Sequence, residues 1–245
     1  MKRALVAIIF PIIAFHAAAY AQSDKSRLRT YVSAAEIALD NNRFDEAIFC
    51  LENAASIAAD NFIPFFMLGS VYSHMDDNSK AAVYYTEALN RISADTFSQK
   101  YYECFGTKDD SFSYRKAVTT IYDCLSDHYK NIGRLDLAKC YNELNIQLNI
   151  FYGYKSPVKS SLEQIYFCYA KEGGWTACLE YFTRVIKFIP DGDAWEMCAA
   201  VCHAAMGDCY ANIGQETMMI KEYQQAARLR HVGAIQSLKA LGIAY

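Results

Sequence analysis

Proline and glycine are scarce, with 4 and 11 of 245 residues. That excludes collagen-like and low-complexity chains. Charge is sparse too: charged residues make up 21%, and 24 Lys and Arg stand against 27 Asp and Glu, a formal net charge of −3. A nucleic-acid binder would show a basic face, which this balance does not supply. With 53% hydrophobic residues the chain is too apolar and too weakly charged for disorder. It is also long enough for a substantial core. Catalytic and cofactor motifs are absent: there is no GxSxG, HExxH, P-loop or GxGxxG. The nine cysteines include no CxxC, so neither a redox motif nor a zinc knuckle is indicated. Cys198 and Cys202 lie one helical turn apart with His203 beside them, a pattern that suits core packing better than a metal site lacking further ligands. His74, His128, His203 and His231 are dispersed, and no nucleophile–base arrangement is recognised. The reading is a non-catalytic protein without cofactor or metal.

What is present begins at the N-terminus. Lys2 and Arg3 precede an apolar stretch from Ala4 to Phe15, followed by small residues that end Ala19-Tyr20-Ala21. This is the pattern of a signal peptide over 1–21, cleaved before Gln22. The stretch is too short for a spanning helix, which needs about 20 apolar residues, and nothing later in the chain is apolar for longer. The expectation is an exported, periplasmic or secreted protein. The absence of an Asn-x-Ser/Thr sequon suits a bacterial source.

A repeat then organises the rest. Ala47 to Ala81, Leu51 to Tyr85 and Ala54 to Ala88 are each 34 residues apart. Phe65, Leu68, Gly69, Tyr72, Ala81, Tyr85 and Ala88 fill one copy. Tyr31, Ala34, Ala35, Ala38, Ala47, Leu51 and Ala54 fill a looser one. Further copies use Tyr122, Leu125, Tyr129, Gly133 and Ala138, then Leu162, Ile165, Tyr169, Gly173, Trp175, Cys178, Phe182 and Pro190, then Met206, Gly207, Tyr210, Gly214, Met219, Tyr223 and Ala226. In period and residue types the chain resembles the tetratricopeptide repeat family. Its ending, Ala226-Ala227-Arg228 with Gly233-Ala234, resembles the related Sel1-like repeats.

The resemblance implies an all-α, right-handed superhelical solenoid of antiparallel helix pairs, in which stacked neighbours close a continuous core. The repeats are placed at about 28–61, 62–95, 119–152, 159–192 and 200–233 within a domain spanning 22–245. An insertion lies at 96–118 and a C-terminal cap at 234–245, with Leu238 and Leu241 on one face. The third copy carries Asn142 and Asn145 where an aromatic and a small residue are expected. Asp76-Asp77-Asn78, Gly133 and Gly173-Gly174 read as turns. The insertion reads as extra helical turns flanking a surface loop that contains Asp109-Asp110.

In this family the first helix of each pair lines a concave groove. The frame projected on this chain places Val32, Glu36, Phe66, Met67, Ser70, Asp123, Asp127, Glu163, Phe167 and Asp208 there. The carboxylate-gripping clamp of Lys, Arg and Asn is missing, so capture of a peptide C-terminus is not expected. Acids with aromatic anchors favour a basic or amphipathic segment of another protein. The expected function is an exported scaffold or adaptor in the cell envelope. The alternative is a receptor for a small ligand or glycan, using the aromatic-rich insertion at Tyr101-Tyr102. An enzyme of unrecognised type is a third possibility, which a perturbed buried Cys or carboxylate in a cleft would favour.

Overall fold

The computed structural model describes residues 24–107 and 112–245. The segment read as a signal peptide and the Asp109-Asp110 turn lie outside the described residues. Among the described residues the structure is helical without strands. The helices are α1 (24–40), α2 (Phe44–Ile57), α3 (Phe62–His74), α4 (Asn78–Leu89), α5 (Phe97–Phe105), α6 (Tyr114–Asn131), α7 (Leu135–Phe151), α8 (Lys155–Glu172), α9 (Trp175–Val185), α10 (Glu196–Asn212), α11 (Glu216–Arg228) and α12 (Val232–Ala240). No helix among the described residues is long and apolar enough to cross a membrane.

The same turn joins α1 to α2, α3 to α4, α6 to α7, α8 to α9 and α10 to α11. The N–H groups of Arg43, Asp77, Arg134, Gly174 and Gln215 donate to the carbonyls of Ala38, Tyr72, Tyr129, Tyr169 and Tyr210 at 2.8, 2.9, 2.8, 3.0 and 2.9 Å. This backward bond satisfies a carbonyl that the helix end would leave orphaned. It requires a left-handed residue just before the donor. Asn42, Asp76, Gly133, Gly173 and Gly214 fill that place, with φ of 55, 58, 80, 68 and 77°. Glycine takes this conformation without a Cβ clash, and Asn and Asp tolerate it better than other residues. The turn residues seen in the sequence therefore sit where the backbone needs them.

The chain divides into two compact units between Cys124 and Leu125. In the first, Leu28, Val32, Ala54, Phe62, Ile63, Phe97, Cys104 and Ala117 form a buried cluster. The helix of the insertion, α5, belongs to this core. Phe97 stacks on Phe62 with ring centroids 5.1 Å apart. Asn61, fully buried, caps α3 by accepting the Ile63 N–H at 3.0 Å and donates to the Lys100 carbonyl at 3.0 Å. Lys100 in turn pairs with Asp60 at 2.5 Å. At the far end of α5, Arg29 of α1 donates to the carbonyls of Glu103 and Tyr102, both at 3.3 Å. A cation at a helix C-terminus also complements its dipole. The insertion is thus fastened to α1 and to the α2–α3 turn.

The second unit centres on Leu162, Ile165, Cys178, Phe182, Cys202 and Cys209, all buried. Asn142 and Asn145 do not interrupt α7. Their side chains, with that of Asn149, form a buried polar ladder on one helix face. Asn142 donates to the Ser126 hydroxyl at 2.5 Å and Asn145 to that of Ser161 at 3.2 Å, while Asn149 donates to the Asn145 side-chain oxygen at 2.7 Å. The positions are polar because their partners on α6 and α8 are serines.

Two glycines mark close helix approaches. A Cβ on Gly69 would lie 2.7 Å from the Tyr85 ring, and one on Gly207 would lie 2.5 Å from the Tyr223 ring. Tyr223 cannot swing away freely, because its hydroxyl donates to Asp208 at 2.6 Å. Gly207→Ala is expected to destabilise this unit by about 1–3 kcal/mol, as overpacking does. An unchanged urea midpoint would show that the ring yields without cost. At the C-terminus α12 is capped by His231, whose Nδ1 accepts the Ala234 N–H at 3.3 Å. Leu238 is fully buried, but Leu241 does not share its face as expected: the helix ends at Ala240, and Leu241 is exposed.

Candidate functional site

Four of the residues projected onto the groove converge in the first unit. Glu36 of α1 faces Phe66, Met67 and Ser70 of α3, and together with Ser33 and Asp40 they line a pocket of about 530 Å³. Helical spacing explains the set: Glu36 and Asp40 are one turn apart, as are Phe66 and Ser70. Val32, one turn before Glu36, does not belong to it. The inserted helix supplies Phe97 and Cys104 to the cluster around Val32 and buries it completely. Glu36 stays open.

The electrostatics of this pocket are one-sided. Desolvation against the groove holds the Glu36 carboxyl above the usual carboxylate range, and the nearby Asp40 charge raises it further. Among the described residues no cation pairs with either acid. Like charges one helical turn apart destabilise a helix by about 0.2–0.5 kcal/mol.

A second pocket, of about 270 Å³, adjoins the first and shares Phe66 and Met67 with it. The insertion contributes Tyr101, Phe105 and Phe112 to it. The ring centroids lie 4.5 Å apart for Tyr101 and Phe105, 5.7 Å for Tyr101 and Phe112, and 5.5 Å for Phe66 and Phe112. Tyr102, paired with Tyr101 in the sequence reading, points elsewhere and lies under the Arg29 guanidinium at 5.3 Å.

The other projected residues behave differently. Asp123 is exposed on α6 and lines neither pocket. In the second unit Asp127 pairs with Lys130 at 2.6 Å and Glu163 with Lys159 at 2.8 Å, so lysines on their own helices neutralise both acids. Phe167 is 50% exposed. Asp208 is half-buried and accepts hydrogen bonds from the Tyr166 and Tyr223 hydroxyls, which fastens α8, α10 and α11 together.

The chemistry available is limited. Burial pushes the Cys104 thiol up to about 12 and that of Cys198 to about 11, while Cys202 is raised further. Such thiols are poor nucleophiles at neutral pH. Cys178 donates to the Cys209 sulfur, which raises the first and lowers the second, and both are fully buried. His203 and Glu222 pair at 2.7 Å between α10 and α11. Among the described residues no group of three or more His, Cys, Asp or Glu is placed to hold a metal ion.

The sequence profile of the tetratricopeptide repeat family matches residues 28–61 and 64–95, the two helix pairs that frame these pockets. The family likeness in sequence therefore covers these two helix pairs of the first unit. The fold as a whole is also similar to solved tetratricopeptide structures. YrrB, described as a TPR protein with an unusual peptide-binding site, is 16% identical with a TM-score of 0.50, covering 85% of this chain and 90% of that one. The MamA protein is 15% identical with a TM-score of 0.52, covering 89% of this chain and 97% of that one. No curated protein matches the chain in sequence. Of the residues that line the first pocket, the sequence frame named Glu36, Phe66, Met67 and Ser70 but not Asp40, which the spacing from Glu36 would have supplied. It also missed Phe105 and Phe112, because no repeat frame covers the insertion.

Proposed function

We propose that this protein is a non-catalytic exported adaptor that holds a segment of a partner protein in the groove between α1 and α3, in a bacterial cell envelope. The observation that carries the reading is the convergence of Glu36 and Asp40 with Phe66, Met67 and Ser70 on one pocket, with two carboxylates that no cation among the described residues neutralises. Such a surface favours a basic or amphipathic segment, because attraction steers the encounter and apolar contact retains it. The peptide-binding description of the YrrB fold relative supports the mode. The export half rests on the Lys2-Arg3 to Ala21 pattern. The Sel1-like ending would serve as the terminal cap that keeps a repeat stack soluble.

The test is in-cell crosslinking of the tagged mature chain. A reproducible envelope protein should be captured, and Glu36→Lys with Asp40→Lys should abolish the capture. Milder neutralisation, Glu36→Gln or Asp40→Asn, should weaken binding of that partner about two- to fivefold per carboxylate, less at high salt. Binding should also fall as pH drops toward 5. The attractive form of Glu36 is the ionised one, and a raised pKa means that it is lost at a higher pH than for an ordinary glutamate. Capture unaffected by the charge reversal would overturn the groove reading.

A further inference from the structure

The insertion is the part of the first unit that no repeat explains, and its placement is specific. Asn61 and Lys100 fasten α5 near its start and Arg29 fastens its end. The anchored helix presents Tyr101 and Phe105 beside Phe66, and Phe112 completes the wall. The resulting pocket is apolar apart from Lys116 and the Tyr101 hydroxyl. Its volume of about 270 Å³ falls just below the roughly 300–1,000 Å³ of small-molecule sites. A sugar site would need several polar groups to meet hydroxyls, and this lining does not offer them.

The two pockets follow one another along α3. Ile63, Phe66 and Met67 line the aromatic one, and Phe66, Met67 and Ser70 line the acidic one. From Ile63 to Ser70 the helix rises about 10 Å at roughly 1.5 Å per residue, which an extended chain covers in about three residues at roughly 3.3 Å each. Resting on the groove reading above, we propose that the insertion builds an apolar subsite, walled by Phe66, Tyr101, Phe105 and Phe112, for one aromatic or branched aliphatic side chain of an extended partner segment. A basic side chain one to three residues away in that segment faces Glu36 and Asp40. The insertion is then a specificity device: the acidic half selects for charge, and the inserted half selects for an apolar neighbour at fixed spacing.

The experiment uses the full mature chain and fluorescein-labelled, terminally blocked peptides of a Gly-Ser background. One carries two lysines and a phenylalanine two residues on. The others replace the phenylalanine with alanine, replace the lysines with glutamates, reverse the order, or lengthen the gap to six residues. Fluorescence anisotropy should show the lysine–phenylalanine peptide, in one order, binding at least tenfold more tightly than its alanine counterpart. The glutamate peptide and the six-residue gap should lose binding. In the Phe112→Ala protein the phenylalanine advantage should vanish while the lysine dependence stays. Should that variant fail to fold, a benzoylphenylalanine in place of the peptide's phenylalanine should crosslink to segments containing Phe66, Tyr101, Phe105 or Phe112 of the unaltered protein. Lysine-dependent binding with no phenylalanine advantage, or crosslinks elsewhere, would overturn the subsite and leave the groove reading standing. Binding by none of the peptides would overturn both.

Discussion

Phe62→Ala is expected to cost the first unit about 3–5 kcal/mol, the range for deleting a fully buried phenylalanine. The ring has 0% exposure and does two things. It fills the cluster formed with Leu28, Val32 and Ile63, and it is the surface on which Phe97 of α5 stacks at 5.1 Å. Alanine leaves a cavity that neighbouring helices cannot collapse into, because Asn61 next to it is pinned by two hydrogen bonds. A domain's whole stability is about 5–15 kcal/mol, so this change alone removes a large share of it. Urea unfolding followed by far-UV circular dichroism measures the loss. Amide exchange should rise most in α5, because α5 loses its stacking partner. A midpoint shift equivalent to less than about 1 kcal/mol would mean that α5 is not held by this contact.

Asn145→Ala is expected to cost the second unit about 2–4 kcal/mol, despite removing only an amide. Asn145 is 1% exposed, donates to the buried Ser161 hydroxyl and accepts from Asn149. Truncation leaves Ser161 without its donor and Asn149 with one fewer acceptor, and an unsatisfied buried polar group costs about 1–3 kcal/mol. The small cavity adds to that. The double variant Asn145→Leu with Ser161→Ala tests the cause. Removing both polar partners together should recover part of the loss, because the Ser161 hydroxyl is then no longer left without its donor. If the double variant is as unstable as the two single losses added, packing and not hydrogen bonding explains α7.

These two expectations mark where the sequence was transparent and where it was not. The 34-residue period, the small residues Gly69, Ala81 and Ala88, and the turn residues Asp76, Gly133 and Gly173 each reflect a local demand. A residue with left-handed φ or a helix pair with no room for a Cβ leaves its mark at the position itself. The helix pairs were therefore legible. Asn142 and Asn145 looked like defects because their meaning lies in Ser126 and Ser161, on other helices. A polar residue in a buried place can be read only with its partner in view.

The site divides along the same line. Glu36, Phe66, Met67 and Ser70 were accessible from the repeat frame, since consecutive first helices present equivalent faces. The frame did not reveal that Val32 is covered, that Asp127 and Glu163 are neutralised by their own lysines, or that Asp208 is occupied by two tyrosine hydroxyls. Helical periodicity determines which way a residue points, and the sequence carries that by itself. What a residue meets there depends on chain distant in sequence. Arg29 holding α5 across more than seventy positions, and the three insertion aromatics closing on Phe66, were decided by the tertiary structure alone.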